Sequence, residues 1–424
     1  MKDRKKTTIS VIGLGYMGLP MACLLAKQGF NVVGVDVDRD KIKKLQKGKM
    51  IFHEPGLATL FRRNRKRISF HSKPASADVF IVAVPTPITQ KKRADLSFVK
   101  SAVRSIVPVL REGNLVIIES TVAPGTSSGV VKRILDKKKF RYALAHCPER
   151  AFPGRTLKEM IENYRVIGGL DQGSGEMAKR IYKTFVKGNI FLTDLTTAET
   201  VKLLENSYRD VNIAFANEMA KLAHRIGINM WEAIRLANYH PRVNIHVPGP
   251  GVGGHCIPLD PWFLVDVARK ESPLLKKSLL LNEQMPLFVA QLAADHVRKY
   301  GLKIKRFGIL GVAYKKNVDD ARETPALRLA EEFKRRGYEV RCADPYVKHF
   351  PHPLVKQDDL IRWADALVIV TDHDIYKEAK LSSENIKLVI DTRNMLSDRQ
   401  RKALVGAHVI LLGAGEEKIT HGRA

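Results

Sequence analysis

The stretch Thr8-Ile9-Ser10-Val11-Ile12-Gly13-Leu14-Gly15-Tyr16-Met17-Gly18 lies near the start of the chain and decides its fold class. A short apolar strand pattern runs into a glycine-rich turn, and a helical pattern follows as far as Lys27. A second strand pattern, at residues 32–35, ends in Asp36. Strand, turn, helix, strand and acid, in this order, form the context that a dinucleotide-binding fingerprint requires.

Each residue of this fingerprint has a physical role in holding a dinucleotide. Gly13 makes the tight turn, Gly15 lets the backbone approach a pyrophosphate, and Gly18 lets the helix pack on the strand. Asp36 accepts a hydrogen bond from a ribose hydroxyl, and its charge repels a 2′-phosphate, so NAD is favoured over NADP. The alternative interpretation is a strand–helix–strand turn that binds no phosphate.

Polar residues follow the next predicted strands. These strand patterns lie at residues 79–84, 115–118 and 142–145. With helical patterns between them, they predict a doubly wound parallel sheet, in which ligands bind at the carboxyl ends of the strands. Thr86, Thr121 and Glu149 come just after these ends. The two threonines have a second interpretation, as caps of the helices that follow.

A long helical pattern over residues 197–226 continues without glycine or proline as far as Gly227. Lys202, Asn206 and Arg209 are spaced i, i+4 and i+7, so they share one face of this helix beside an apolar stripe. A polar stripe on a long helix is often only a solvated face. The asparagine has poor propensity for the middle of a helix, which indicates a binding face instead.

The stretch Gly249-Pro250-Gly251-Val252-Gly253-Gly254-His255-Cys256-Ile257-Pro258-Leu259-Asp260 carries the clearest sign of chemistry. Four glycines in six residues let the backbone lie against a ligand. They deliver Cys256 next to His255 and four residues before Asp260. A thiolate is a nucleophile, and nearby cations or a helix N-terminus favour it. The alternative is a glycine-rich turn whose cysteine packs as a small apolar residue.

A further α/β pattern begins at residues 305–311. Its later strand patterns lie at residues 339–344, 366–370 and 388–391. A second parallel sheet is predicted, and its first loop lacks the full glycine fingerprint. That loop instead carries Tyr314, Lys315 and Arg322, while Arg393 follows the strand that ends at residue 391. Such cations suit the anionic part of a second ligand.

The length, composition and net charge are those of a multidomain globular protein with an unusually basic surface. The chain has 424 residues, of which 45% are hydrophobic, and a formal net charge of +28. We expect it to stay in the cytoplasm, because neither a signal peptide nor an apolar run long enough to span a membrane is evident. The basic residues fall in short separate clusters, which favours a solvated surface that attracts anions over a nucleic-acid site. The four single cysteines suggest reduced thiols, and no metal site is predicted.

With the first glycines, Lys202 and Cys256 in place, the chain resembles the nucleotide-sugar 6-dehydrogenases of the UDP-glucose and GDP-mannose dehydrogenase family over residues 8–415. The resemblance implies an α/β fold of two Rossmann-like doubly wound parallel sheets, joined by a long helix and a helical middle domain. The implied domains are an NAD-binding domain at residues 1–195, a central domain for dimerisation and the catalytic loop at 196–302, and a UDP-sugar-binding domain at 303–424.

The resemblance also implies a four-electron oxidation of a sugar's primary alcohol to a carboxylate, with two NAD⁺ and one water. Cys256 would form a thiohemiacetal and then a thioester, and Lys202 would stabilise the oxyanion or exchange protons. Asp260 and Asn206 would orient that lysine and the water, while Thr121 and Glu149 would complete the set that handles water.

The implied ligand contacts extend over all three domains. NAD contacts are implied at Gly13, Gly15, Tyr16, Met17, Gly18, Asp36, Lys41, Thr86, Thr121 and Arg322. Substrate contacts are implied at Arg150, Ala151, Lys202, Asn206, Arg209, His240, Arg242, Gly253, Tyr314, Lys315 and Arg393. Arg242 is expected to reach the partner subunit's site, which requires at least a homodimer.

The sequence resembles enzymes for more than one sugar substrate. Residues 201–218 and 240–251 resemble the UDP-N-acetylmannosamine branch of the family, which serves polysaccharide biosynthesis, whereas residues 313–320 and 371–374 resemble the UDP-N-acetylglucosamine 6-dehydrogenases as much. Glucose-specific members carry a second glutamate where this chain has Pro153, which favours an N-acetylated sugar. A different class of protein, an inactive dinucleotide-binding regulator, is the remaining alternative, although a thiol nucleophile would have no use there.

Overall fold

The computed structural model describes residues 4–381 and 384–414, so the outer ends of the first and third predicted domains lie outside the described residues. The chain divides into two compact units. The first comprises Met1–Glu205 and Trp262–Arg269, and the second comprises Asn206–Pro261 and Lys270–Ala424. No helix in the described part of the chain has the length and apolar character needed to span a membrane. The division into three domains stays a prediction.

The first unit contains an eight-stranded sheet. Its strands are β1 (Thr8–Ile12), β2 (Asn31–Val35), β3 (Ile68–His71), β4 (Val79–Val82), β5 (Leu115–Ile118), β6 (Ala143–His146), β7 (Arg165–Gly169) and β8 (Ile190–Asp194). They lie in the order β3-β2-β1-β4-β5-β6-β7-β8. The first six run parallel in the order of a dinucleotide-binding fold, so the crevice where strand order reverses lies at the carboxyl ends of β1 and β4.

The last two strands of this sheet depart from the predicted parallel arrangement. β7 pairs antiparallel with β6, whereas β8 pairs parallel with β7. Neither strand was predicted, and β8 lacks a run of buried residues that would have marked it. The reversal places Arg165, the first residue of β7, at the edge where β5 and β6 end.

Helices cover both sheets. The first seven are α1 (Gly18–Lys27), α2 (Arg39–Gln46), α3 (Leu57–Asn64), α4 (Ser97–Ile106), α5 (Lys132–Leu135), α6 (Thr156–Glu162) and α7 (Gln172–Tyr182). The others are α8 (Leu195–Ile226), α9 (Met230–Ala237), α10 (Asp260–Val267), α11 (Pro273–Lys299), α12 (Pro325–Arg335), α13 (Gln357–Trp363) and α14 (Asp398–Ala403). Two apolar cores fill the spaces above and below the first sheet, as a doubly wound fold requires.

The second unit contains a five-stranded parallel sheet. Its strands are β9 (Arg306–Leu310), β10 (Glu339–Ala343), β11 (Ala366–Ile369), β12 (Leu388–Asp391) and β13 (His408–Leu411). The order β10-β9-β11-β12-β13 is the other common doubly wound order, and its reversal point lies at the carboxyl ends of β9 and β11. The predicted α/β class with two doubly wound sheets is confirmed.

Helix α8 buries its polar stripe and exposes apolar residues. Lys202 is 9% exposed and Asn206 5%, whereas Leu204 is 55% exposed and Tyr208 60%. The interpretation of the polar stripe as a solvated face is therefore wrong. Burying a lysine and an asparagine on a helix is costly unless they have partners, so this face is built for polar contacts.

Candidate active site

The glycine turn after β1 has the shape that its sequence predicts. Gly13 has φ of +94°, and a Cβ there would lie 2.4 Å from the carbonyl oxygen of Ala83, at the end of β4. A Cβ on Gly18 would lie 1.8 Å from the carbonyl oxygen of Gly13. At Gly15, by contrast, a Cβ would meet no heavy atom of the described residues within 4 Å. The turn thus leaves an open face at the position predicted to receive a pyrophosphate.

Asp36 lies at the end of β2 and is 8% exposed. Its carboxylate accepts hydrogen bonds from the backbone N–H groups of Leu14 (2.9 Å) and Asp38 (3.0 Å). The Lys41 Nζ lies 3.8 Å from one of its oxygens. The acid is therefore held beside the glycine turn, and these residues fit the adenosine half of NAD, with Tyr16 packed on Phe52 at 4.5 Å between ring centres.

The loops that follow β4 and β5 are joined by two threonines. The hydroxyl of Thr86 donates a 2.6 Å hydrogen bond to the carbonyl of Thr121. Neither threonine caps the helix that follows it. The N-cap residue of α4 is Leu96, and that of the helical turn at residues 126–131 is Gly125. Both predicted residues lie at the carboxyl edge of the sheet, near its reversal point.

Glu149 is 9% exposed, in the loop after β6. One carboxylate oxygen accepts from the N–H groups of Arg150 (2.7 Å) and Ala151 (2.9 Å), and the other accepts from Arg165 Nη2 at 2.6 Å. Glu149 therefore fixes the backbone of the two residues predicted to contact the sugar. Arg150 itself pairs with Glu205 at 2.6 Å.

Glu54 fixes the next part of the same loop, although it was not among the predicted site residues. Its buried carboxylate accepts from the N–H groups of Gly154 (2.9 Å) and Thr156 (2.8 Å), about a hundred residues along the chain. Pro153 lies between the segments held by Glu149 and Glu54. Because both carboxylates bind backbone, the loop keeps its shape whatever its side chains contact.

In the second unit, Cys256 is exposed on the glycine loop. Its carbonyl accepts a 2.8 Å hydrogen bond from the N–H of Asp260, the first residue of α10, so the cysteine lies in the turn that leads into this helix. None of the four cysteines, all within the described residues, forms a disulfide. Partial desolvation and the charge of Arg322 lower the pKa of His255, which disfavours a positive charge on this neighbour of the thiol.

Tyr314 packs against the glycines of this loop. A Cβ on Gly253 would lie 2.7 Å from the Tyr314 Cβ, and Gly254 (φ +86°) would clash with the Tyr314 ring at 2.9 Å. The N–H of Gly254 donates to the carbonyl of Arg322 at 2.9 Å. The glycines thus let the cysteine loop lie directly on the loop that follows β9. Burial, with the charges of Asp320 and Cys256, raises the pKa of Tyr314 to about 12.

Two further predicted residues form a buried pair beside this loop. Asn206 Nδ2 donates a 2.6 Å hydrogen bond to Asp260 Oδ2, and both side chains are about 5% exposed. The structure thus joins two residues that were predicted to orient Lys202 and a water, and that role stays a prediction. Lys202 is in the first unit, one helical turn before Asn206 on α8.

A chain of buried amides holds the start of the glycine loop. Asn217 Oδ1 accepts from the N–H of Gly249 at 2.8 Å, and its amide donates to Asn282 at 2.9 Å. Asn282 donates to the carboxylate of Asp210 at 2.8 Å, which also accepts from Ser278. Sequence reasoning missed this set, although the mid-helix asparagines are the signal that could have revealed it.

The remaining predicted ligand contacts of the second unit, Arg322 for NAD and the others for the substrate, lie at separate places. Arg393 follows β12 and donates to the carbonyl of Val370 at 2.9 Å, and a Cβ on Gly249 would lie 2.6 Å from its Nη1. Arg322 is held by Asp320 at 2.6 Å. Of the others, His240, Arg242 and Lys315 are exposed, and Arg209 is half-buried on α8. The structure therefore gathers Arg393, Tyr314 and the glycine loop at one edge of the second sheet, but gives the exposed residues no common site.

Among the described residues, the second sheet has no counterpart of the first ribose site. Asp344 follows β10 just as Asp36 follows β2, yet its carboxylate accepts from the N–H groups of Val312 and Ala313 and from His373 at 3.0 Å. Its other oxygen accepts from two more backbone N–H groups. These bonds leave little capacity for a sugar hydroxyl, so the two units differ in what they can hold.

Three family models match consecutive parts of the chain. They describe the UDP-glucose/GDP-mannose dehydrogenase family: its NAD binding domain matches residues 7–186, its central domain 196–284, and its UDP binding domain 308–398. The first unit thus holds an NAD-binding domain, which agrees with the geometry of the glycine turn.

Individual proteins match over nearly the whole chain. A UDP-N-acetyl-D-mannosamine dehydrogenase of Methanocaldococcus jannaschii is 48% identical over 420 residues, which cover 96% of this chain and 97% of that protein. The structure of UDP-D-ManNAc dehydrogenase from Pyrococcus horikoshii is 39% identical, with a TM-score of 0.89, and covers 96% of this chain and 99% of the other. That of the UDP-N-acetyl-mannosamine dehydrogenase Cap5O from Staphylococcus aureus is 36% identical, with a TM-score of 0.88 and the same coverage.

Proposed function

The chain belongs to the UDP-glucose/GDP-mannose dehydrogenase family, and we propose that it oxidises UDP-N-acetyl-D-mannosamine to UDP-N-acetyl-D-mannosaminuronate with NAD⁺. The observation that carries the chemistry is an exposed Cys256 on a glycine loop, next to the buried pair of Asn206 and Asp260. The substrate is proposed from the 48% identical relative that is named for it.

The proposed reaction balances as two oxidations and one hydrolysis. The C6 alcohol loses a hydride and a proton to become an aldehyde, and the Cys256 sulfur adds to it as a thiohemiacetal. Loss of a second hydride and proton turns this adduct into a thioester, and water releases the carboxylate and restores the thiol. NAD⁺ supplies the hydride acceptor in both oxidations. The sum is one alcohol, two NAD⁺ and one water, giving one carboxylate, two NADH and three protons.

The chain's own residues supply the nucleophile and its surroundings. Cys256 lies in the turn before α10, where the partial positive charge of a helix N-terminus favours a thiolate. Asp260, bonded to Asn206, offers a fixed carboxylate four residues from the thiol. We propose that Lys202 stabilises the oxyanion of the thiohemiacetal, since this cationic residue is buried on the polar face of α8.

The residues of the first unit fit NAD: the open face at Gly15 would admit its pyrophosphate, and Asp36 would hold its adenosine ribose. The linked loops of Thr86 and Thr121 lie at the same edge of that sheet. We propose that the loop held by Glu149 and Glu54 forms the sugar-binding wall of this unit. Its Pro153 supports an N-acetylated sugar over glucose, and the backbone bonds on either side of it fix its place.

The proposed substrate is tested by counting NADH. Purified protein is given UDP-N-acetylmannosamine, UDP-N-acetylglucosamine or UDP-glucose in limiting amount, with excess NAD⁺. We expect two NADH for each UDP-N-acetylmannosamine consumed and little from the other two. Two NADH from UDP-N-acetylglucosamine instead would move the assignment to that epimer and keep the cysteine route. One NADH per sugar would contradict the thioester route, and none from any substrate would contradict the enzyme.

We further propose that the protein is a homodimer that pairs through α8. Tyr208, Phe215, Leu222 and Ile226 are 43% to 60% exposed and recur at intervals of seven, seven and four residues. That spacing puts them within one stripe of the helix. An exposed apolar stripe of this length on a 32-residue helix is typical of a surface that another subunit covers.

Charges placed in this stripe are expected to separate the subunits. The variant with Phe215→Lys and Leu222→Lys should sediment as a monomer where the wild type sediments as a dimer, because two lysines would be buried without partners. Val405→Lys, at an exposed apolar residue after α14, is the matched control and should stay dimeric. If the double variant sediments as a dimer, as the wild type is expected to do, this helix face is excluded as the subunit interface.

A further inference from the structure

A buried group of charges lies behind the site residues of the first unit. Arg165 is 2% exposed and lies between two carboxylates, Glu149 and Glu119, which are 9% and 3% exposed. Its Nη2 lies 2.6 Å from Glu149 Oε2, and its Nη1 lies 3.3 Å from Glu119 Oε1. Taking such charges out of water costs free energy, and apolar side chains of similar volume often stabilise a protein as well or better. Stability alone therefore does not explain this cluster.

Arg165 sets the position of Glu149. The other oxygen of that carboxylate accepts hydrogen bonds from the N–H groups of Arg150 and Ala151, which lie in the sugar loop, residues 149–155. Glu149 thus has three donors, of which Arg165 is the only side chain among those the described residues provide. Because β7 runs antiparallel to β6, its first residue lies opposite the loop after β6. The guanidinium consequently sets where this part of the sugar loop lies.

Glu119 brings a second carboxyl group to a single guanidinium. Its Oε2 is buried and has no hydrogen-bond partner among the described residues. Tyr182 on α7 lies against the cluster, with its ring centre 5.0 Å from the Arg165 guanidinium carbon, and its hydroxyl is buried. Two ionised carboxylates would leave one buried negative charge uncompensated. A proton on Glu119 removes that charge and leaves a one-to-one pair between Arg165 and Glu149.

The groups that face Glu119 act on its proton in opposite directions, and burial is the largest effect. Burial raises the pKa of Glu119 to about 8 and the charge of Glu149 raises it too, whereas the charge of Arg165 and hydrogen bonding with Arg165 and Tyr182 lower it. Burial also raises the pKa of Tyr182 well above its ordinary value, and raises that of Cys147 to about 12. Of the groups facing the cluster, Glu119 is therefore the one expected to change charge between pH 7 and pH 10.

We propose, on the premise of the function proposed above, that Arg165 and a protonated Glu119 are positioning residues for the oxidation. Arg165 holds Glu149 and, through it, the sugar loop. The proton on Glu119 removes its negative charge, so that Glu149 is the one carboxylate that pairs with the guanidinium. When Glu119 ionises, two carboxylates compete for one guanidinium, and Glu149 loses its fixed place. Neither residue touches the reacting atoms; both act through Glu149.

Glu119→Gln tests the proton directly, because the amide copies the neutral acid and cannot ionise. We expect the ratio of kcat in the variant to kcat in the wild type to be near one at pH 7. Above pH 8 the ratio should rise, by up to about tenfold per pH unit, as the wild type loses its proton. The ratio cancels pH effects that both proteins share.

Asp365→Asn is the matched control, since Asp365 pairs with Arg306 at 2.7 Å in the other unit and its pKa is lowered by those same bonds despite burial. Its ratio to wild type should stay flat over the same range. Arg165→Lys keeps a positive charge but loses the two-pronged contact, and should lower kcat roughly tenfold or more at pH 7. A flat ratio for Glu119→Gln, or a large loss of its kcat at pH 7, would overturn the proposal.

Thermal unfolding separates this inference from the proposed function. Since folding raises the pKa of Glu119, the stability contributed by its proton is complete below its ordinary value of 4.5 and is lost as the pH rises to about 8. Between pH 5 and pH 8.5 the wild type should therefore lose more Tm than Glu119→Gln. Equal losses would overturn the buried proton even if the enzyme is active, and unequal losses would support it even if no tested sugar is oxidised.

Discussion

Cys256→Ala is expected to lower turnover of the UDP-sugar on the order of 10⁴-fold or more, because the proposed route needs a sulfur adduct at the aldehyde stage. Alanine fits the exposed position without strain, so the variant should fold and bind NAD⁺ as the wild type does. The measurement is steady-state NADH production, together with the Tm of each protein and its affinity for NAD⁺.

A second cysteine serves as the control. Cys342 is fully buried on β10 in the same unit, and burial raises the pKa of its thiol to about 12, which makes it inert at neutral pH. Cys342→Ala should cost some stability through the lost packing but leave kcat unchanged. If Cys256→Ala kept even a tenth of the wild-type turnover, the thioester route would be excluded.

The strongest parts of the sequence-based prediction share one property: local sequence sets their geometry. The turn at Gly13 and Gly18 can be predicted because a Cβ on Gly18 would collide with the carbonyl of Gly13 five residues earlier, and one on Gly13 with the backbone that follows the adjacent strand β4. The glycines at 253 and 254 were equally visible, although the side chain that requires them, Tyr314, lies some sixty residues further along the chain. Sequence shows that space is needed, but only the fold shows what fills it.

The positioning residues could not be predicted, because the groups that they contact are distant in the sequence. Glu54 and Arg165 act on backbone or carboxylates that are 16 to 102 residues away, and nothing in their own neighbourhoods marks them. Their roles depend on the antiparallel pairing of β7 and on the loop between α2 and α3. The buried face of α8 was hidden too, since alternating polar and apolar stripes do not tell which one faces the protein.

Gly15→Ala is expected to raise the KM for NAD⁺ roughly 100-fold without unfolding the protein. The added Cβ would meet no described atom within 4 Å, and Gly15 is not among the glycines with positive φ, so the fold accepts alanine there. The methyl group would occupy the face where the backbone must approach the pyrophosphate, and a displacement of about 1 Å can cost 100-fold in rate. Initial rates at varied NAD⁺, with the Tm of both proteins, measure both halves of this expectation.

Two neighbouring variants separate a lost binding face from a broken turn. Gly18→Ala puts a Cβ 1.8 Å from the carbonyl oxygen of Gly13, so it should lower Tm as well as NAD⁺ binding. Gly129→Ala, also with open space around its Cβ, should change neither. A normal KM for NAD⁺ in Gly15→Ala would place the dinucleotide elsewhere, whereas a collapse of its Tm would make Gly15 a structural glycine like Gly18. Only a raised KM at an unchanged Tm fits a turn whose open face is kept for the cofactor.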